Sequence, residues 1–310
     1  MDEHALATTP DGFTTVTVSN EATDEEKIAT LADADFIFGY GPALSEPVLR
    51  SATELKLIQL GHAGYDMVNV DLLQELNIPL ATAGETNSPN VAENTVLLIL
   101  AVYRKLTQAA AHVAEGGWLF DSPATDPFTY RDLVDKKVGL IGFGNIARHV
   151  AQRLQGFQCE IQAYNISPID EDVKRKLGVR QVEFNELIET SDIVSLHTPL
   201  TPNTKGMIGR EELARMKPGA VLINTSRGPV VDESALIESL QEGRISAAGL
   251  DVTEVEPPAP DNLLRTMENV ILTPHAGGSM EMRDRLFANC WQNIRDVWEG
   301  KAPKNLVTPG

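Results

Sequence analysis

The segment from Lys137 to Ala147, KVGLIGFGNIA, constrains the fold more than any other part of the chain. Its apolar start predicts a strand, Gly142 and Gly144 form a turn, and a helix follows. In such a unit the first glycine makes the tight turn, the second lets backbone approach a pyrophosphate, and the small Ala147 permits close helix packing. The backbone N–H groups of Asn145 and Ile146 at the helix start can bind the anion. A tight turn without a ligand has the same spacing, but the strand and helix around it favour a dinucleotide site.

The choice between NAD and NADP depends on the residues that follow the next predicted strand, Cys159–Tyr164. An acidic residue there would bind a ribose 2′-hydroxyl, and an arginine would bind a 2′-phosphate. The chain instead has Asn165, with Asp170 close by and Lys174 and Arg175 on the next helix. Because the arginine is missing, the sequence favours NAD and leaves NADP open.

Further apolar strands end in polar residues, and open α/β sheets bind ligands at the carboxyl ends of their strands. The segments are SLHTPL at 195–200, VLINTSRG at 221–228, AGLDV at 248–252 followed by EVEPP at 254–258, and VILTPHAGG at 270–278. Taken singly, Arg227 or Glu256 is typical of a solvated charge, and His275 of a packed ring. At the ends of neighbouring strands, however, they would bring a cation, a carboxylate and an imidazole to one edge of a sheet.

The alternation of strands and helices indicates a parallel α/β fold, and 310 residues are enough for two domains. The balance of 44 acidic against 26 basic residues gives a net charge of −18, so neither nucleic acid nor a membrane is expected as a partner. The start, MDEH, lacks the apolar core of a secretory signal, and a cytoplasmic location is expected. Cys159 and Cys290 make no disulfide framework, and no CxxC or HExxH spacing indicates a metal.

Local patterns near the N-terminus predict several elements. Val16 and Val18 alternate with threonine and predict a short strand, and Thr23 with Glu26 forms a candidate capping box for a helix over 22–33. Strands are predicted at 36–38 and 55–60. A long helix is predicted from about Ser88, nearly apolar from 91 to 106.

The motifs LHTPLT, NTSRGPVVDE, GLDV with EVEPP, and ILTPHAGG, in this order after the glycine turn, resemble the D-isomer-specific 2-hydroxyacid dehydrogenase family over residues 31–305. The resemblance implies two doubly wound, Rossmann-like α/β domains, with the substrate in the cleft between them. A dinucleotide-binding domain, 89–278, would be inserted into a discontinuous substrate domain, 1–88 and 279–310. It also implies a homodimer. The region before residue 31 departs from the family pattern.

The resemblance assigns catalysis to three residues. Arg227 would orient the carboxylate of a 2-keto acid, because guanidinium binds carboxylate through two parallel hydrogen bonds. His275 would donate a proton to the carbonyl oxygen, and Glu256 would hold the ring and favour its protonated form. The cofactor would contact Gly142, Gly144, Asn145, Ile146, Asn165, His197, Thr198, Pro199, Thr225, Ser226, Asp251, His275, Gly277 and Gly278. Asp251 would bind the nicotinamide carboxamide, with a turn cap as the alternative, and His197 is expected to be non-catalytic.

The substrate would contact Ala63 and Gly64, in the loop GHAGYD, as well as Asn87, which could equally be a helix cap. Formate dehydrogenases carry Gln where this chain has Glu256, and phosphite dehydrogenases carry lysine where it has Ala63, so both substrates are disfavoured. Tyr40 supplies no second anion clamp, which indicates a 2-keto acid with a single carboxylate. The expected reaction is reduction of a small 2-keto acid to the D-2-hydroxy acid with NAD(P)H. The alternatives are a glyoxylate/hydroxypyruvate reductase and a dinucleotide-sensing protein like the related corepressors.

Overall fold

The structure, a computed structural model, describes residues 6–39, 44–66 and 68–307. In chain order its helices and strands are α1 (Asp24–Leu31), β1 (Phe36–Gly39), α2 (Glu46–Ser51), β2 (Leu57–Leu60), α3 (Val70–Glu75), β3 (Leu80–Ala81), α4 (Ser88–Tyr103), α5 (Leu106–Ala114), β4 (Lys137–Ile141), α6 (Asn145–Leu154), β5 (Glu160–Tyr164), α7 (Glu171–Leu177), β6 (Val179–Gln181), α8 (Phe184–Thr190), β7 (Ile193–Leu196), α9 (Arg210–Arg215), β8 (Val221–Asn224), α10 (Glu233–Gln241), β9 (Ala247–Leu250), β10 (Val270–Leu272) and α11 (Met280–Trp298). Short 3-10 turns lie at Gly84–Asn87, Pro127–Thr129, Gln155–Phe157, Gly228–Val230 and Leu263–Arg265.

The chain divides into two compact units. The first contains Met1–Asn87 and Gly278–Gly310, and the second is the continuous segment Ser88–Gly277. Each unit has a parallel sheet with helices, which confirms the predicted α/β class with one domain inserted into a discontinuous other. The units change one residue before each predicted boundary. Their roles as substrate and dinucleotide domains stay predictions.

In the first unit, β1, β2 and β3 form a parallel sheet in that order. Successive side chains of its middle strand, β2, point to opposite faces of the sheet. Leu57 packs in a core with Phe287 and Ile294 of α11, whereas Ile58 packs on the other side with Leu49 and Leu73. Gln59 is fully buried, and its Oε1 accepts a hydrogen bond of 2.9 Å from Nδ2 of Asn293. The C-terminal segment also joins this sheet, because Leu306 forms an antiparallel bridge with Ala81.

In the second unit, seven described strands form a parallel sheet in the order β10-β9-β8-β7-β4-β5-β6. The chain starts in the middle at β4, extends one edge through β5 and β6, and then returns to β7 on the other side of β4. Helices α4 and α6 cover one face, and α8, α9 and α10 cover the other. Sheets of this kind bind ligands where the direction of growth reverses, which here is between β4 and β7.

One local prediction is wrong, and another is confirmed over a slightly shorter range. Residues 13–19, which include Val16 and Val18, have no regular secondary structure and pair with no described strand, because alternation supplies strand propensity without an apolar face to bury, and Val16 is exposed. The long helix is confirmed from Ser88 to Tyr103, and it ends three residues before the predicted end of the apolar stretch at 106, because Lys105 adopts a left-handed φ of 49° before α5 begins. The capping box is confirmed, since Thr23 accepts from the N–H of Glu26 and Glu26 accepts from the N–H of Thr23.

Among the described residues, no individual helix has both the length and the apolar composition to cross a membrane, and only the bent pair Gly84–Tyr103 and Leu106–Ala114 meets these two criteria together.

Candidate active site

The predicted site residues of the second unit lie in loops at one edge of its sheet. The loops that follow β4, β7, β8, β9 and β10 begin at the same edge, because these strands are parallel neighbours. They contain residues 142–144, 197–199, 225–227, 251–256 and 273–277 respectively, and the first of them leads into α6, which begins with Asn145 and Ile146. The structure therefore brings Arg227, Glu256 and His275 to the carboxyl edge of one sheet.

The glycine turn has the geometry that its sequence predicts. Gly142 has a φ of 84°, and a Cβ there would lie 2.8 Å from the carbonyl oxygen of His197, so a side chain is excluded. Gly144 is the N-cap of α6, and a Cβ there would meet no described atom within 4 Å beyond its chain neighbours. Ala147 is fully buried in the core that α6 shares with α4. The open space over Gly144, at a helix N-terminus, fits a dinucleotide pyrophosphate.

Asn165 connects the glycine turn to the loop after β5. Its Oδ1 accepts from the N–H of Phe143 at 3.1 Å, and its Nδ2 donates to Ser167 at 3.0 Å. Asp170 caps α7 by accepting from the N–H groups of Asp172 and Val173. Asp170, the acidic residue that follows β5 most closely in the sequence, therefore already accepts hydrogen bonds from backbone N–H groups of α7.

His197 and Thr198 follow β7 directly. Burial lowers the pKa of His197 to about 3, so its ring is neutral near pH 7, and Nε2 lies 3.0 Å from Oγ of the buried Ser195. Within the described residues, the buried hydroxyl of Thr198 has no hydrogen-bond partner. Pro199 is exposed. A buried hydroxyl without a partner beside Gly142 fits a site that a polar ligand completes.

The loop after β8 is organised by Asn224, which is buried. Its Oδ1 accepts from both the N–H and the hydroxyl of Ser226, and its Nδ2 donates to the carbonyl of Arg227. The hydroxyl of Thr225 lies 2.8 Å from that of Thr95 on α4. Nη1 of the half-buried Arg227 donates to the carbonyl of Ser226 at 2.8 Å. These contacts hold the backbone and the guanidinium of Arg227 in place.

His275 and Glu256 form a pair. Nδ1 of His275 lies 2.8 Å from Oε2 of Glu256, and their side chains are 51% and 39% exposed. The other oxygen of Glu256 accepts from the N–H of Thr253 at 3.3 Å. An imidazole held at Nδ1 by a carboxylate has its tautomer and its orientation fixed, which leaves Nε2 as the nitrogen for proton transfer.

Asp251 directly follows β9 and is 3% exposed. Its Oδ1 accepts from the hydroxyl of Thr273 at 2.5 Å and from the N–H of Ala276 at 2.9 Å. This arrangement matches the turn-cap alternative, and the predicted contact to a carboxamide stays a prediction. Gly277 is closely packed, since a Cβ there would lie 3.0 Å from Cγ2 of Val91.

The remaining predicted residues belong to the first unit. Ala63 and Gly64 are half-buried in the loop after β2, and Gly278 precedes α11. Asn87 ends a 3-10 turn, and its Oδ1 is buried without a hydrogen-bond partner among the described residues. Tyr40 lies outside the described residues. The roles of these residues stay predictions.

The sequence did not predict four residues that hold predicted site residues in place through hydrogen bonds, namely Thr95, Asn224, Thr253 and Thr273. Asn224 had a local signal, because asparagine two residues before an N–H commonly forms a turn with it. Thr95 had none, since its contact to Thr225 spans 130 positions.

Residues 96–277 match the family described as D-isomer specific 2-hydroxyacid dehydrogenase, NAD binding domain. Glyoxylate/hydroxypyruvate reductase B of Escherichia coli O9:H4 (strain HS) is 35% identical over 302 residues, which are 96% of this chain and 92% of that protein. D-3-phosphoglycerate dehydrogenase of Methanocaldococcus jannaschii is 37% identical over 295 residues, which are 94% of this chain, and the chain spans about half of its length, 55%.

Among solved structures, D-lactate dehydrogenase from Aquifex aeolicus, complexed with NAD and lactic acid, superposes with a TM-score of 0.81 at 29% identity. The match covers 94% of this chain and 90% of that one. The family match over more than half of the chain, and relatives above 30% identity along nearly all of it, agree with the arrangement of Arg227, Glu256 and His275. The chain belongs to the D-isomer specific 2-hydroxyacid dehydrogenase family.

Proposed function

We propose that this protein is a nicotinamide-dependent oxidoreductase that reduces a small 2-keto acid to the D-2-hydroxy acid and also catalyses the reverse reaction. The observation that carries the proposal is the 2.8 Å contact between Nδ1 of His275 and Oε2 of Glu256. The pair lies at the sheet edge that also presents Arg227. A proton donor and a carboxylate-binding cation are what reduction of a 2-keto acid requires.

Arg227 binds and orients the substrate carboxylate. A guanidinium has five N–H donors in a planar fork, and a carboxylate can accept two of them in parallel. The hydrogen bond from Nη1 to the carbonyl of Ser226 holds one side of the fork and limits the rotation of the group. Lysine at this position would keep the charge but lose the fork.

His275 moves the proton. In the reducing direction it donates from Nε2 to the carbonyl oxygen, where negative charge develops, and in the oxidising direction it accepts the proton from the hydroxyl. Glu256 accepts the hydrogen bond from Nδ1 and stabilises the positive charge that the ring carries before donation. The N–H of Thr253 holds the Glu256 carboxylate in turn.

When bound, the reduced nicotinamide dinucleotide supplies the hydride. The glycine turn, with Gly142, Gly144 and the N-terminus of α6, would hold its pyrophosphate, and Thr198 would offer its hydroxyl. We assign NAD rather than NADP, because no arginine stands at Asn165. The names of the relatives make glyoxylate and hydroxypyruvate the first substrates to test, and a glyoxylate/hydroxypyruvate reductase is accordingly the second candidate function.

A homodimer, a cytoplasmic location and the absence of nucleic-acid or membrane partners remain predictions from the sequence. A dinucleotide-sensing protein without turnover remains the alternative of another class.

The test is oxidation of NADH and of NADPH by the purified protein with glyoxylate, hydroxypyruvate, pyruvate and larger 2-keto acids, and with formate and phosphite oxidation as controls. Turnover of 2-keto acids is expected, and His275→Gln should lower kcat by about 100- to 10,000-fold. His149→Gln, on α6, is the matched control for the loss of an imidazole. Near-normal turnover by His275→Gln would contradict the mechanism. Tight dinucleotide binding without turnover of any acid would favour the sensing protein.

A further inference from the structure

His275 has a backbone conformation that needs support. Its φ of 54° is in the left-handed region, where a side chain other than glycine costs about 1–2 kcal/mol. Residues held in such conformations persist only where the surrounding contacts determine them. The contacts around His275 therefore decide where its ring lies.

Three of those contacts converge on Asp251. The N–H of His275 donates to the backbone carbonyl of Asp251 at 2.9 Å, and the N–H of Ala276 donates to its Oδ1, also at 2.9 Å. The hydroxyl of Thr273 donates to the same Oδ1 at 2.5 Å, much closer than the 3.4 Å to the carbonyl of Leu250. Asp251 thus contacts the chain before His275, at His275 and after it.

The hydroxyl of Thr273 fixes the carboxylate within this arrangement. Without it, the N–H of Ala276 would be the one hydrogen-bond donor left to Oδ1 among the described residues, and the carboxylate could rotate about that contact. Thr273 itself is held in register, because its N–H donates to the carbonyl of Leu250 at 2.8 Å as β10 ends beside β9. The side chain therefore links the sheet edge to the left-handed residue, beside the backbone hydrogen bond from the N–H of His275 to the carbonyl of Thr273 at 3.0 Å.

We infer that Thr273 is a positioning residue that, through Asp251, holds His275 in the left-handed conformation in which its ring meets Glu256. The inference rests on the proposed function, in which His275 moves the proton. It gives Thr273 a role in the proton-transfer step and none in direct contact with substrate.

The test compares Thr273→Val, which removes the hydroxyl and keeps the shape, with Thr273→Ser, which keeps the hydroxyl. Thr273→Val should lower kcat for the best 2-keto acid by about tenfold and change its pH profile, with the KM of that acid within about twofold of wild type. Thr273→Ser should stay within about threefold of wild type in kcat. Thr266→Val is the matched control, because among the described residues the hydroxyl of Thr266 donates to the carbonyl of Leu263 alone. If Thr273→Val does not fold, Thr273→Ala takes its place.

A second readout needs no turnover. The nitrogen-15 NMR shifts of the His275 ring, assigned by their loss in His275→Gln, report the contact of Nδ1 with Glu256. They should change in Thr273→Val and not in Thr273→Ser. Unchanged ring shifts and unchanged kcat in Thr273→Val, or equal losses in the valine and serine variants, would overturn the inference. Absence of turnover in the wild type would instead contradict the proposed function and leave the NMR test valid.

Discussion

The neutral ring of His197 gives the protein a specific dependence of stability on pH. Its pKa is about 3 in the folded protein, against 6.5 for an ordinary histidine. Between these two values the unfolded chain binds a proton that the folded chain does not, so the free energy of unfolding falls as the pH is lowered through this window. Above about pH 6.5 His197 causes no loss of stability, and below about pH 3 the loss has reached its full size.

The size of the effect follows from the shift. Each pKa unit corresponds to about 1.4 kcal/mol, so His197 should remove about 1.4 kcal/mol of stability at about pH 5.5 and about 2.7 kcal/mol at about pH 4.5. These losses are a large part of the stability of an ordinary domain, which is about 5–15 kcal/mol.

The assay is urea unfolding of the wild type and of His197→Gln at about pH 7.5 and about pH 5.5. Glutamine keeps a polar group that can reach Ser195 but does not titrate. The loss of stability between the two pH values should be about 1.4 kcal/mol smaller in the variant than in the wild type. His149→Gln shows what the removal of an imidazole elsewhere does. If wild type and His197→Gln lose the same free energy, the ring of His197 is not held neutral by burial, and this account of the pH dependence is wrong.

Three further outcomes are expected. Arg227→Lys should lower kcat/KM for the 2-keto acid by about 100-fold, because the charge remains but the fork is lost, and steady-state kinetics with His275 intact will show whether it does. Gly142→Ala should weaken dinucleotide binding by at least about tenfold and destabilise the protein by about 1–3 kcal/mol, because φ is positive and the Cβ would lie 2.8 Å from the carbonyl oxygen of His197. Fluorescence titration measures the binding and thermal unfolding the stability, and a variant with wild-type stability and affinity would contradict the geometry. Asn165→Asp should raise the preference for NADH over NADPH by about tenfold, because a carboxylate would repel a 2′-phosphate, and an unchanged ratio would place the ribose elsewhere.

The sequence was sufficient for the features that short segments determine. The glycine turn from Gly142 to Ala147 and the capping box of α1 are local, and both have the predicted geometry. The contact between Glu256 and His275 spans 19 positions, but the order of the motifs was enough to predict it.

The sequence was not sufficient where burial or distant partners decide. Alternation at Val16 and Val18 predicted a strand, but strand propensity does not determine whether a partner edge is available. The roles of Thr95 and Thr273 depend on contacts across the sheet edge, which spacing along the chain does not reveal. Asp251 was predicted as a cofactor residue because the family resemblance implies that role, and its hydrogen bonds to Thr273 and Ala276 became visible only in three dimensions.

The composition of the first unit from both ends of the chain has a consequence for synthesis on the ribosome. Leu57 is buried against Phe287, Gln59 is hydrogen-bonded to Asn293, and Ala81 pairs with Leu306. The partners of these early residues are therefore synthesised more than 200 positions later. The second unit is continuous and contains all of its own sheet. During synthesis, Leu57, Gln59 and Ala81 therefore remain without these partners until residues 287–306 have been made, whereas the second unit can already form its whole sheet.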